Sequence, residues 1–89
     1  MKSIWKFELE SQNPHLVMPV GAKILCVQAQ RDVPCIWVEV DPESKEKTER
    51  TFMIVATGHP IEFTNGTYIG TFQLQGGDLV YHLYELSPA

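Results

Sequence analysis

Hydrophobic and polar residues alternate along most of this chain. Over residues 3–10, Trp5, Phe7 and Leu9 fall on one side and Lys6, Glu8 and Glu10 on the other, the two-residue period of a strand with one face buried. Ser11-Gln12-Asn13-Pro14-His15 breaks that pattern. Leu16-Val17-Met18 then makes a short strand, stopped by Pro19, which has no N–H to give to a sheet ladder. Residues 22–30 are apolar on both faces at their centre, with Ile24 and Cys26 on one and Leu25 and Val27 on the other. That is the pattern of a strand in the middle of a sheet or across a sandwich core, so Ile24 and Leu25 are both expected to be buried. Arg31-Asp32-Val33-Pro34 supplies a turn. Residues 35–41 return with Ile36, Val38 and Val40 inward and Trp37 and Glu39 on the opposite face. Asp41-Pro42-Glu43 opens a charged connection, ESKEKTER, without an apolar stripe. It reads as a solvated loop, dispensable for folding, more than as a helical turn. Residues 51–57 form the next strand, and the stretch 21–57 reads as a meander around which the rest is organised.

Gly58-His59-Pro60 ends that strand, and residues 61–67, with Asn65-Gly66 among them, read as a surface loop. Two further strands, 68–75 and 78–86, join around Gly76-Gly77, a hairpin signal because glycine tolerates positive φ. Six long strands and one short one, with no amphipathic helix and no internal repeat, predict an all-β single domain. The expected architecture is a small antiparallel β-barrel or sandwich of about six to seven strands.

Composition narrows the function classes. Eighty-nine residues hold one core, and 44% apolar with 20% charged residues is ordinary for a globular domain. A domain this small buries only about two-thirds of its unfolded surface, so a homodimer would be a natural way to bury more. Seven basic against eleven acidic residues give a net charge of −4. Nucleic-acid binding relies on neutralising phosphates and is disfavoured by that balance, whereas a basic partner surface suits it. No apolar run approaches the roughly 18 residues of a membrane span. The first twelve residues alternate and carry acids, unlike a signal peptide. The expected compartment is the cytoplasm, where Cys26 and Cys35 stay reduced.

Candidate chemistry is sparse. If residues 31–34 form the turn of a hairpin, Cys35 faces Gln30 and Cys26 lies opposite Glu39, too far apart for a disulfide. Neither cysteine has a neighbour at metal-ligand spacing, and His15, His59 and His82 are scattered, so no metal or cofactor is expected. Ser3, Ser11, Ser44 and Ser87 lie at chain ends, in a breaker or in the charged loop, outside any nucleophile motif, and an enzyme is not expected. Two features stand out as candidate binding residues. In Thr57-Gly58-His59-Pro60, glycine lets a ligand approach the backbone, proline stiffens the loop, and Thr57 and His59 supply polar tips. Trp37 is the aromatic whose face otherwise holds Glu39 and Asp41, although a core or lid role suits it as well.

Five segments in order resemble a family of small uncharacterised bacteriophage proteins: IWKFEL, MPVGAKILCVQAQ, PCIWVEVDPE, ATGHPI and YIGTFQLQGGDLVYHLYE. The family's usual Gly-Thr-Gly-His-Pro is here Ala56-Thr57-Gly58-His59-Pro60. The resemblance spans nearly the whole chain and implies a phage protein acting in the host cytoplasm, without implying an activity. Small phage proteins lacking catalytic signatures suggest binders that inhibit a host defence or regulatory protein. The alternative is a module that sequesters a small, nucleotide-like signalling molecule, and a virion component is a third reading.

Overall fold

The computed structural model describes residues 1–88. Seven strands form two antiparallel sheets. They are β1 (Ser3–Glu8), β2 (His15–Pro19), β3 (Lys23–Gln30), β4 (Val33–Val40), β5 (Lys47–Ala56), β6 (Gly66–Leu74) and β7 (Leu79–Leu86). One sheet has the order β1-β4-β3 and the other β2-β5-β7-β6. The sheets stack as a sandwich rather than closing into a barrel, and the molecule is only 17 Å thick against 40 and 32 Å in its other dimensions. Phe7, Ile36, Val38, Phe52, Phe72 and Leu83 meet between the layers, with Met18 and Leu9 closing the ends.

Strand pairing departs from the expected meander. The β3–β4 hairpin forms, but after β4 the chain crosses to the other sheet, so β4 and β5 do not pair. The hairpin turn is two residues, Arg31 and Asp32, not four. Both take positive φ, 51° and 66°, as the right-handed strand twist demands of a two-residue loop. The tighter turn places Cys26 opposite Trp37 and Cys35 opposite Gln28. Both thiols remain free.

Strand β3 is also an edge rather than a central strand. Its register shifts between Ile24 and Cys26, and the extra residue, Leu25, is 42% exposed. Continuous apolar character here records a bulge, not burial on two faces. Leu25→Ala should therefore change unfolding free energy by no more than about 0.5 kcal/mol, as at a surface site. Ile24→Ala, which removes a side chain packed on the core, should cost about 2 kcal/mol or more. Denaturant titration of the two variants checks the contrast, and equal losses would contradict the bulge.

A matching bulge at Ile69 lies in β6, between Tyr68 and Gly70. The two bulged edges run beside each other, and a Cβ on Gly70 would come within 2.9 Å of Val27 on β3. Glycine is needed there for the sheets to approach at this corner. Beneath it, Arg50 reaches from β5 to the carboxylate of Glu85 on β7 and donates to the Ala22 carbonyl just before β3. One guanidinium thereby ties the two layers together.

The charged connection is shorter than its composition implies. Lys47, Thr48 and Glu49 belong to β5 and pair with Pro19, Met18 and Val17. The connection proper ends at Glu46, whose carbonyl accepts from Val20 N–H. Residues 47–49 are thus part of the sheet and not a dispensable loop. Among the described residues no helix is long and apolar enough to cross a membrane.

Candidate functional site

Because β7 lies between β5 and β6, the chain leaving β5 must travel back along the sheet before β6 can begin. Residues 57–65 make this crossing over the outer face of the four-stranded sheet. Phe63 anchors it, packing edge-on to Tyr84 with ring centres 5.2 Å apart, and Tyr84 in turn meets Tyr68 at 5.6 Å. Gly66 follows because a Cβ there would collide with the Phe63 ring. Asn65 closes the crossing by exchanging hydrogen bonds with Ser87.

Thr57 begins the crossing. Its N–H and its hydroxyl both donate to the Val80 carbonyl at 3.1 Å. With its proton so used, Thr57 Oγ1 accepts from His82 Nε2 at 2.8 Å. His82 Nδ1 is then free to accept from the Thr71 hydroxyl at 2.8 Å, and Thr71 accepts from the Tyr68 hydroxyl. In the chain Tyr68–Thr71–His82–Thr57–Val80 every side-chain O–H and the Nε2–H of His82 finds an acceptor. Gly58 follows at φ 88°, which a side chain would strain. His59 N–H closes the turn onto the Ala56 carbonyl, leaving its ring exposed, and Pro60 is exposed beside it.

On the β2 side of this crossing lies a groove of about 690 Å³, lined by Gln12, Asn13, residues 53–56, His59, Pro60, Glu62, Phe63 and Tyr81. Strand β2 stops pairing at Thr51, and the connection from β1 takes over the edge of β5. Phe52 and Ile54 N–H donate to the Pro14 and Gln12 carbonyls, and Asn13 Nδ2 donates to the Phe52 carbonyl at 2.6 Å. The run 11–14 is therefore a wall of the groove as well as a strand breaker. A second hollow, lined by Leu9, Glu10, Ser11, Gln12, Ile54 and Tyr81 among others, continues from it past Gln12. Glu62 lines the first hollow and Glu10 the second, and no lysine or arginine lies among the described residues lining either.

Of the expected site residues, Thr57, Gly58, His59 and Pro60 are brought together, and His59 and Pro60 line the groove. Trp37 is not among them. It lies half-buried on the outer face of the other sheet, between Lys6 of β1 and Cys26 of β3. The two candidate features therefore occupy opposite faces of the sandwich. Gln12, Asn13, Glu62, Phe63 and Tyr81 escaped the sequence reading because alternation reports which face a strand residue takes and is silent on which loop covers it. His82 was legible only as a strand histidine.

Near Trp37, Lys6 Nζ donates to Gln30 Oε1 at 2.9 Å, spanning from β1 to β3 across β4 at the level of Cys35. Cys35 is covered completely. Burial pushes its thiol above the ordinary value of 9.0, with Lys6 pulling the other way and Glu8 adding to the rise. As pH climbs, the unfolded chain ionises this thiol first. Its contribution to stability is complete below the ordinary value and is lost as pH rises through the folded-state pKa. At neutral pH a thiol reagent should label the half-buried Cys26 well before Cys35, which should react only on unfolding. Equal labelling rates would mean that the Lys6–Gln30 cover does not hold. Among the described residues no group of three or more His, Cys, Asp or Glu side chains is placed to hold a metal ion.

Fold and groove together define a small antiparallel β-sandwich with a cleft beside β5 whose charged lining residues are carboxylates. The whole chain, residues 1–89, matches the model of the family described as Domain of unknown function (DUF7352), and the chain belongs to that family. No curated protein and no solved structure matches it.

Proposed function

We propose that this is a bacteriophage protein that acts by binding rather than by catalysis, and that it engages a host defence or regulatory protein in the host cytoplasm. The observation that supports binding at the β5 groove is its chemistry. Met53, Ile54, Val55, Phe63 and Tyr81 give it apolar surface, while Glu62 lines it and Glu10 lines the adjoining hollow, with no lysine or arginine among the described residues lining either. A partner segment that carries apolar side chains together with lysine or arginine fits that arrangement, and the two separated carboxylates would orient it. The phage and host assignments rest on the motifs that include ATGHPI, whose His59 and Pro60 line the same groove.

A small-molecule reading is favoured by one quantity. About 690 Å³ lies within the roughly 300–1,000 Å³ of ligand sites, and Phe63 and Tyr81 offer ring faces. A nucleotide would bring phosphate to a cleft whose charged groups are carboxylates, so the protein partner is the better fit. The test is affinity capture from host lysate with the wild-type protein and the Glu10→Lys/Glu62→Lys variant, followed by calorimetry on any captured protein. A partner bound by the wild type and weakened at least tenfold by charge reversal supports the reading. Release of a bound small molecule on heating the purified protein, with a melting temperature that rises when it is added back, would replace it with sequestration.

A further inference from the structure

We infer that β1 is a strand-addition edge and that its occupant is a second copy of this chain, joined by a two-fold axis at Trp5 into a continuous six-stranded sheet. Each sheet edge is open to pairing unless something blunts it. Strand β2 has five residues, with buried prolines at position 14 before it and at its last residue, 19. Strands β3 and β6 carry bulges and face each other across the corner. Strand β1 has none of these devices: it pairs with β4 over six residues in unbroken register and contains no proline or glycine.

Backbone phase shows what the edge offers. Leu9 N–H donates to the Pro34 carbonyl. Phe7, Trp5 and Ser3, in step with it, therefore direct their backbone groups to β4, and Ile4, Lys6 and Glu8 direct theirs away from the sheet. An antiparallel copy keeps core face to core face only if even residues meet even ones. Among such symmetric registers, an axis at Lys6 opposes Lys6 to Lys6, an axis at Ile4 opposes Lys2 to Lys6, and an axis at Phe7 sets the exposed Ile4 against the carboxylate of Glu10. The axis at Trp5 sets Lys2 against Glu8 twice and pairs Ile4, which is otherwise 58% exposed, with Lys6 of the copy, so that no like charges meet. Trp5 would meet its copy at the mouth of the core, where it already packs beside Phe7.

The experiment uses the full chain. Lys6→Pro removes an outward N–H and leaves the β4 ladder intact, whereas Lys6→Ala changes only the side chain. Sedimentation equilibrium should find a concentration-dependent species of twice the chain mass for the wild type and for Lys6→Ala, and a monomer for Lys6→Pro. As a second measurement independent of proline, Trp5→Cys in a Cys26→Ser/Cys35→Ser background should oxidise to a linked dimer. The facing residues would be a non-hydrogen-bonded pair about 4.5 Å apart at Cα, within disulfide reach. A wild type that stays monomeric at all concentrations, a dimer that survives Lys6→Pro, or a folded Trp5→Cys protein that fails to cross-link would each overturn the inference.

Discussion

Phe52→Ala should cost about 3–5 kcal/mol of unfolding free energy, the range for emptying a large aromatic site in a core. Phe52 is fully buried and is the largest of the side chains that are. It sits on β5 opposite Glu85, with the other sheet above it and Met18 of β2 nearby in the same cluster. Its backbone is held as firmly, with N–H donating to the Pro14 carbonyl and its own carbonyl accepting from Asn13. Those bonds fix the strand, so the site cannot collapse by moving β5 and the cavity term stays large. Small domains start from about 5 kcal/mol or little more, so the variant should be substantially unfolded at room temperature. Circular dichroism and denaturant titration would show it. A loss below about 1 kcal/mol, the scale of an ordinary substitution, would mean that Phe52 does not fill the space between the layers.

Phe52 also illustrates what the sequence could tell. Its alternation with Met53 and Ile54 announced a strand, and alternation, apolar runs and turn signals together located the strands of both sheets to within a few residues. The β1 reading was closest, because Trp5, Phe7 and Leu9 turn inward as their spacing requires. Pairing was less legible. Nothing in residues 41–46 distinguishes a connection that returns along its own sheet from one that crosses to the other, and this is why the expected meander failed. The start of β5 was hidden because Lys47, Thr48 and Glu49 are exposed and Arg50 buries a charge, so no apolar residue marks the first turn of the ladder. Bulges hide for a related reason: Leu25 looks like a core residue until its register is known. The site followed the same logic, since His59 and Pro60 could be picked out as loop residues whereas the wall opposite them is built by Gln12 and Asn13 from a distant segment.

Arg50 carries the second large effect. Its guanidinium donates to both Glu85 oxygens, the Nη2 bond being 2.8 Å, and to the Ala22 carbonyl. The two charged side chains are 22% and 25% exposed. The hydrogen bond it donates to Glu85 holds Arg50 in its charged form, against the opposing effect of burial. Arg50→Met keeps much of the side-chain volume but leaves a carboxylate and a backbone carbonyl without donors at the corner where the sheets approach. Breaking a fully buried pair costs about 3–5 kcal/mol, and the partial access of water here brings the expectation to about 2–3 kcal/mol. Glu85→Leu alone should cost a similar amount, because it strands the cation. The double variant should recover at least about 1 kcal/mol of the summed losses, since neither charge is then left unpaired. Strict additivity would show that the pair is a surface contact of little energetic weight, and the tie between the two layers would have to be sought in the apolar core alone.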